Sequence, residues 1–236
     1  MIAEAIEKIL RISQRSIIFD SGRRFDSATL APIMEPMPAK LLISSLQGIV
    51  DFINFEFAND AETKGNLALL VGEADAAVVA RLVAPEQQRP HYLTSIRDKI
   101  EHHFGVYLPL IDMMIWLQNG FVKSDERDQL LLTLGSIKGG TTVKNEDDGT
   151  SQSVTVHKGK VLCGQEGVKN PIFLKPYFTF PEIEQVAVPC TLRIIEDGAT
   201  FKVRLDQADG GAWKVTARKR IAAWLHEKLP EMPIIS

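Results

Sequence analysis

Cysteine is scarce in this chain: Cys163 and Cys190 are the two in 236 residues. They form no CxxC pair, and two cysteines cannot build the multi-bridge framework that staples small secreted domains, so reduced thiols are expected. Long apolar runs are lacking too. The longest, Val106 to Leu117, is broken by Pro109 and Asp112 and falls short of the roughly 20 residues that a spanning helix needs. The opening MIAEAIEKILRIS carries Glu4 and Glu7 where a signal or transit peptide would have none. A soluble, cytoplasmic protein without a membrane partner is expected.

Catalytic signatures are missing as well. There is no HExxH helix, no GxSxG elbow and no cysteine in a protease-like setting. The glycines of GSIKGG, Gly135 to Gly140, follow a helical pattern, whereas a phosphate cradle must follow a strand and precede a helix. Asp209-Gly210-Gly211 does stand between strand and helix, but without the glycine spacing of a phosphate loop it reads as a turn. His102 and His103 adjoin Glu101, yet neighbouring residues point to different sides of a helix or strand and cannot share one ion. Glu146-Asp147-Asp148 before Gly149 suits a turn and lacks the alternating oxygen ligands of a calcium loop. Glu182 and Glu184 alternate as solvent-facing strand positions do. No catalytic, cofactor or metal residue is assigned on this basis. An enzyme would need a site assembled from distant loops.

What is present is an ordinary globular composition, 45% hydrophobic and 24% charged with a net charge of -3, which excludes disorder for the bulk of the chain. Residues 160 to 236 hold eleven Lys and Arg against nine Asp and Glu, and the remainder is acidic. So small an imbalance does not by itself announce a polyanion-binding domain.

Apolar periodicity marks the elements. Ile2, Ile6, Ile9 and Leu10 share one face of a helix; Ser16 to Asp20 and Arg24-Phe25 read as strands about a turn; prolines 32, 36 and 38 mark an irregular crossing. Ser44 or Ser45 caps a helix with Leu46, Ile49, Val50 and Ile53 on its inner face, ending near Asn59-Asp60. Leu67 to Val71 and Ala77 to Ala84 form a hairpin. After an unassigned stretch from His91 to His103, a helix over Pro109 to Phe121 carries Leu110, Met113, Met114 and Leu117 along one side, and a second starts from Ser124 or Asp125.

Two hairpins follow, one about Asp148-Gly149 and one joining Val186 to Ile195 with Thr200 to Leu205 through Asp197-Gly198. A last helix runs from near Asp209 to Leu229, with Trp213, Ala217, Ile221, Trp224 and Leu225 on one face. Helices and hairpins without a βαβ rhythm predict the α+β class, with an antiparallel sheet built from hairpins and several packed amphipathic helices. The polar stretch from Lys158 to Asn170 is the natural linker. It suggests an N-terminal α+β region over 1–158 and a hairpin-plus-helix region over 159–236, or one continuous domain.

The basic residues of the C-terminal part, Arg193, Lys202 and Arg204 on the hairpin with Lys214, Arg218, Lys219, Arg220 and Lys228 on the last helix, could share one exposed side. Such clustering is what phosphate neutralisation requires, and these eight are the candidate nucleic-acid contacts. A solvated charged face is the ordinary reason for basic residues in such positions.

Three segments of the C-terminal third, Asn170-Pro171-Ile172-Phe173-Leu174, Pro176-Tyr177-Phe178-Thr179-Phe180 and Ala208-Asp209-Gly210-Gly211-Ala212-Trp213-Lys214, together with Asp147-Asp148-Gly149, Ser151-Gln152 and Trp116-Leu117-Gln118, give about half of the chain a resemblance. It resembles uncharacterised bacteriophage and prophage proteins, similar in layout to the YfdQ-like group. The resemblance implies a phage-derived accessory protein and no reaction. With no chemical constellation and two marked hairpins, non-enzymatic binding of a host or phage protein through a β surface is expected, the chain acting as a homo-oligomer. The alternatives are a nucleic-acid-binding, clamp-like protein of phage replication or recombination, and an enzyme acting on a nucleotide signal.

Overall fold

A computed structural model gives the fold and describes residues 2–13, 16–18, 24–26, 39–80, 89–137, 141–147, 152–158, 168–197 and 200–236. Helix α1 (Ile2–Ser13) precedes the antiparallel pair β1 (Ser16–Ile18) and β2 (Arg24–Asp26). A short strand, β3 (Leu41–Ile43), leads into α2 (Leu46–Glu56) and α3 (Ala61–Gly65). Strands β4 (Leu67–Val71), β5 (Asp75–Ala80) and β6 (His91–Ile96) follow, then β7 (Leu108–Pro109) and the helices α4 (Leu110–Gly120) and α5 (Asp125–Ser136). The chain continues through β8 (Thr141–Asp147), β9 (Gln152–Lys158), β10 (Val168–Asn170), β11 (Ile172–Leu174), β12 (Val188–Asp197) and β13 (Thr200–Gln207). It ends with α6 (Trp213–Lys228) and β14 (Ile234–Ile235).

The class is α+β. The sheets are less uniform than the hairpins suggest, because a five-stranded sheet of order β14-β4-β5-β6-β3 is antiparallel at its centre and parallel at both edges. A four-stranded sheet, β11-β12-β13-β7, is antiparallel throughout, as is the three-stranded β10-β9-β8. The turns at Asp148-Gly149 and Gly198-Ala199, the Gly139-Gly140 pair, Cys163 and residues 159–167 of the expected linker lie outside the described residues.

Each of the two larger sheets has its own core. Helices α2 and α6 cover one face of the five-stranded sheet, where Leu46, Ile49, Ile53, Ile221 and Leu225 meet Leu67, Leu69 and Val78. The other face of β4 and β5 presents Ala68, Ala77 and Val79. With both faces apolar, these strands read as unbroken hydrophobic runs without alternation. Helices α4 and α5 pack on the four-stranded sheet, burying Met113, Trp116, Leu117, Leu130 and Leu134 against Leu192, Ile194, Val203 and Leu205. Both cores draw residues from either side of position 158.

The segment between β11 and β12 joins the two cores. Phe178 belongs to the second core, whereas Phe180 and Ile183 insert into the first. Its backbone is held by Gln185, 4% exposed, whose amide accepts from the Thr179 N–H at 3.2 Å and donates to the Phe180 carbonyl at 2.9 Å. No strand forms here, which corrects the solvent-facing strand reading of Glu182 and Glu184. Glu182 turns inward to cap α2, accepting from the Leu46 N–H at 2.8 Å beside the Ser45 hydroxyl, which takes the Gly48 N–H at 3.1 Å. A carboxylate there also meets the positive end of the helix dipole. Glu184 stays in solvent, paired with Lys175 at 2.6 Å and Arg220 at 3.5 Å.

Candidate functional site

Residues 97–107, between β6 and β7, form an irregular segment that carries Arg97, Glu101, His102 and His103. Its ends are fixed by main-chain bonds from the Arg97 N–H to the Ala74 carbonyl, 3.0 Å, and from the Gly105 N–H to the Leu205 carbonyl, 2.9 Å. Gly105 has φ +79°, a left-handed conformation that side chains resist. The reversal it permits lays residues 102–104 against α4.

His102 sits inside a ring cluster, with centroids 4.7 Å from Phe178, 5.9 Å from Phe104, and 6.4 Å from Trp116 and Phe121. Its Nε2 faces the Tyr177 carbonyl at 3.3 Å, and a carbonyl only accepts, so Nε2 carries the proton and Nδ1 is left as an acceptor. Nδ1 has no partner among the described residues. Burial pushes the His102 pKa below its usual 6.5; Arg97 and His103 push the same way, while the Tyr177 carbonyl opposes them. His103 packs its ring on Trp116 at 5.5 Å. Among the described residues no three His, Cys, Asp or Glu side chains gather as a metal site.

Beside this cluster an open cleft of about 490 Å³ runs between the 100–108 segment and α4. Ile100, Leu108, Ile115, Trp116 and Gly120 supply its apolar lining, and Glu101, His103, Asp112 and Asn119 its polar groups. The helix contributes Asp112, Ile115, Trp116 and Asn119, spaced by three and four residues and therefore on one face. Trp116 is 6% exposed and its Nε1–H has no acceptor among the described residues. Ile111, 71% exposed, and Ile115, 50% exposed, extend the apolar surface along the helix; Val106 on the facing segment is 51% exposed. Glu101 and Asp112 have no ion-pair partner among the described residues.

The sequence pointed to His102, His103 and Glu101 as neighbours, and the structure brings the last two into the cleft. It missed Asp112, Ile115 and Asn119. Their helical spacing was available as a signal, but an exposed polar stripe on a helix is ordinarily read as solvent-facing.

The eight basic candidates fall into two groups on different sheets. Arg193, Lys202 and Arg204 share the outer face of β12 and β13, where Arg193 stands opposite Arg204 in register. Asp206 binds Arg204 at 2.8 Å and approaches Arg193 at 3.9 Å, and Lys202 pairs with Asp197 at 2.7 Å. Arg204 also lies over the Tyr107 ring at 5.5 Å. The other five are on α6, against the five-stranded sheet. Lys214 reaches Glu73 at 3.4 Å and Lys228 reaches Glu227 at 2.9 Å. Arg220 donates to the Glu184 and Gln185 carbonyls at 2.7 and 3.1 Å. Arg218 and Lys219 have no ion pair among the described residues.

The remaining sequence candidates are structural. Asp209 accepts from the Gly211 and Trp213 N–H groups at 3.0 and 2.9 Å, so the Asp-Gly-Gly turn starts α6. Cys190 is fully buried, and burial, aided by the nearby Asp209 charge, pushes its thiol up to about 12. A thiol in that state is no nucleophile. No helix among the described residues is long and apolar enough to cross a membrane.

Comparison with protein-family models, with curated proteins and with solved structures finds no match to this chain.

Proposed function

We propose that this chain is a non-enzymatic binding protein, a phage or prophage accessory protein that receives a host or phage protein in the cleft beside α4. One observation carries the reading: exposed Ile111 and Ile115 adjoin a cleft of about 490 Å³ with an apolar lining. Contiguous apolar surface beside a concavity is a usual mark of an interaction site. His102 suits packing better than proton transfer, enclosed by rings with its Nε2 on a main-chain carbonyl. The phage or prophage origin rests on the sequence resemblance alone.

The test is selection from a random peptide library on the immobilised protein and on the double variant Ile111→Asp/Ile115→Asp. Both positions are exposed, and circular dichroism checks that the variant folds. The expected result is a converging set of peptides that bind the wild type and lose at least about tenfold in affinity for the variant, roughly 1.4 kcal/mol. A pool that never converges, or one that binds both proteins equally, contradicts the reading.

A second reading, nucleic-acid binding in phage replication or recombination, is favoured by the Arg193 and Arg204 pair beside Tyr107. Against it, six of the eight basic candidates, all but Arg218 and Lys219, already lie within 4 Å of a carboxylate of the chain itself. That leaves little uncompensated charge for phosphates.

A further inference from the structure

We propose that His102 is an acid-operated latch: while neutral, its ring holds residues 98–103 against the C-terminal end of α4, and protonation releases them. Those residues supply one wall of the cleft, since Ile100, Glu101 and His103 line it across from Asp112, Ile115 and Asn119 of α4. The latch therefore sets whether the cleft is formed, whatever the cleft receives.

The segment is built to move between fixed ends. The Arg97 N–H bonds the Ala74 carbonyl at 3.0 Å and the Gly105 N–H bonds the Leu205 carbonyl at 2.9 Å. Between those anchors, among the described residues, the main chain adds one bond, from the Val106 N–H to the His103 carbonyl at 3.3 Å. Asp98, Lys99 and Glu101 are exposed. Rings hold the rest: Phe104 packs beside its Gly105 anchor, whereas His102 secures the middle against Phe178 at 4.7 Å and His103 lies on Trp116 at 5.5 Å. Segments with so few main-chain bonds open locally at small cost.

A proton on His102 has no place in the closed arrangement. Nε2 already donates to the Tyr177 carbonyl, and Nδ1 is closed to solvent with no partner among the described residues. Nδ1 borders the α-carbon of Gly120, where a Cβ would stand 3.9 Å from it and 2.9 Å from the Trp116 Nε1, itself a buried N–H without an acceptor. Protonated Nδ1 would be a second such donor in the same corner, and leaving a buried donor unpaired is costly. The charged groups that act on the ring are Arg97 and His103 of its own segment, and both oppose a further cation. Trp116 and Gly120 of α4, then Phe121, Tyr177 and Phe178, bring it no charge, and the carboxylates of Glu101 and Asp112 are exposed on the cleft side. Burial and those two neighbours hold the pKa below 6.5 against the Tyr177 carbonyl. Acid accordingly favours the arrangement in which the ring reaches water.

Exchange of the Trp116 indole proton with solvent reports the latch, because that atom is closed to water beside Gly120. Its resonance is identified with Trp116→Phe, and its rate is compared with that of N-acetyltryptophanamide at each pH. A released ring titrates near 6.5, so protection is expected to fall by about tenfold or more from about pH 7 to about pH 5. His102→Gln and His102→Phe take up no proton and should hold protection constant, whereas His103→Gln should keep the wild-type fall. Constant protection in the wild type, a fall that survives in the His102 variants or vanishes in His103→Gln, or an equal loss at the β12 and β13 amides, which is unfolding of the whole chain, would each overturn the proposal.

Discussion

The indole of Trp116 lies across the α-carbon of Gly120: a Cβ added there would meet Nε1 at 2.9 Å and Cδ1 at 3.1 Å. The contact is with a rigid ring one helical turn back, itself packed against Phe104, His103 and Phe121 at 5.1 to 5.5 Å. Gly120→Ala should therefore displace Trp116, destabilise the fold by about 1–3 kcal/mol and change the cleft. Denaturant unfolding and tryptophan fluorescence check this. Unchanged stability and emission would show that the indole has room to move.

Asn170 is 8% exposed and joins its strand to β12 through two bonds, accepting from the Leu192 N–H at 2.9 Å and donating to the Leu192 carbonyl at 3.0 Å. Asn170→Ala orphans both groups at roughly 1–3 kcal/mol each. Asn170→Asp keeps the acceptor but puts a carboxylate against the carbonyl, so it should gain stability as pH falls and the carboxyl becomes a donor. Urea midpoints across the acid range distinguish the two variants. Equal and pH-independent losses would mean that packing, not the paired bonds, fixes this residue.

His102 ties stability to pH. Its folded pKa lies below the unfolded value near 6.5, so below that value the unfolded chain binds more protons. Stability contributed by the neutral ring is complete above about 6.5 and is lost as pH falls through the folded pKa. Between about pH 7 and pH 5 the wild type should lose stability more steeply than His102→Phe, which has no proton to bind. Parallel stability curves for the two proteins would remove His102 as the cause.

The internal pairing of the basic residues predicts weak polyanion binding. Oligonucleotide titration at about 50 mM salt should detect no saturable complex, because the cations that could release counterions are few. A complex whose affinity falls steeply with added salt and is lost in Arg193→Ala/Arg204→Ala would favour the nucleic-acid reading instead.

Elements whose information is local were legible in the sequence. Ser45 and Ser124 are the caps expected of them, and β4–β5, β8–β9 and β12–β13 pair as hairpins. Elements made by distant pairing were not. Strand β6 carries a mixed His-Tyr-Leu-Thr-Ser-Ile pattern and takes its shape from β5 and β3 on either side. Two-residue β14 directly follows Pro233 and exists through its parallel match to Leu69 and Leu70. Glu182 was misread because its partner, the Leu46 N–H, is 136 positions away. The cleft was half visible for the same reason: Glu101 and His103 drew notice as neighbours, but nothing local says that a loop before β7 will face the Asp112 stripe of α4.

The most direct test is to map, by ¹H–¹⁵N correlation spectra, where a library-selected peptide touches the protein. The account predicts shifts at Glu101, His103, Asp112, Ile115, Asn119 and the Trp116 indole. Shifts confined to residues 193–204 and 214–228, with the cleft resonances unmoved, would contradict it.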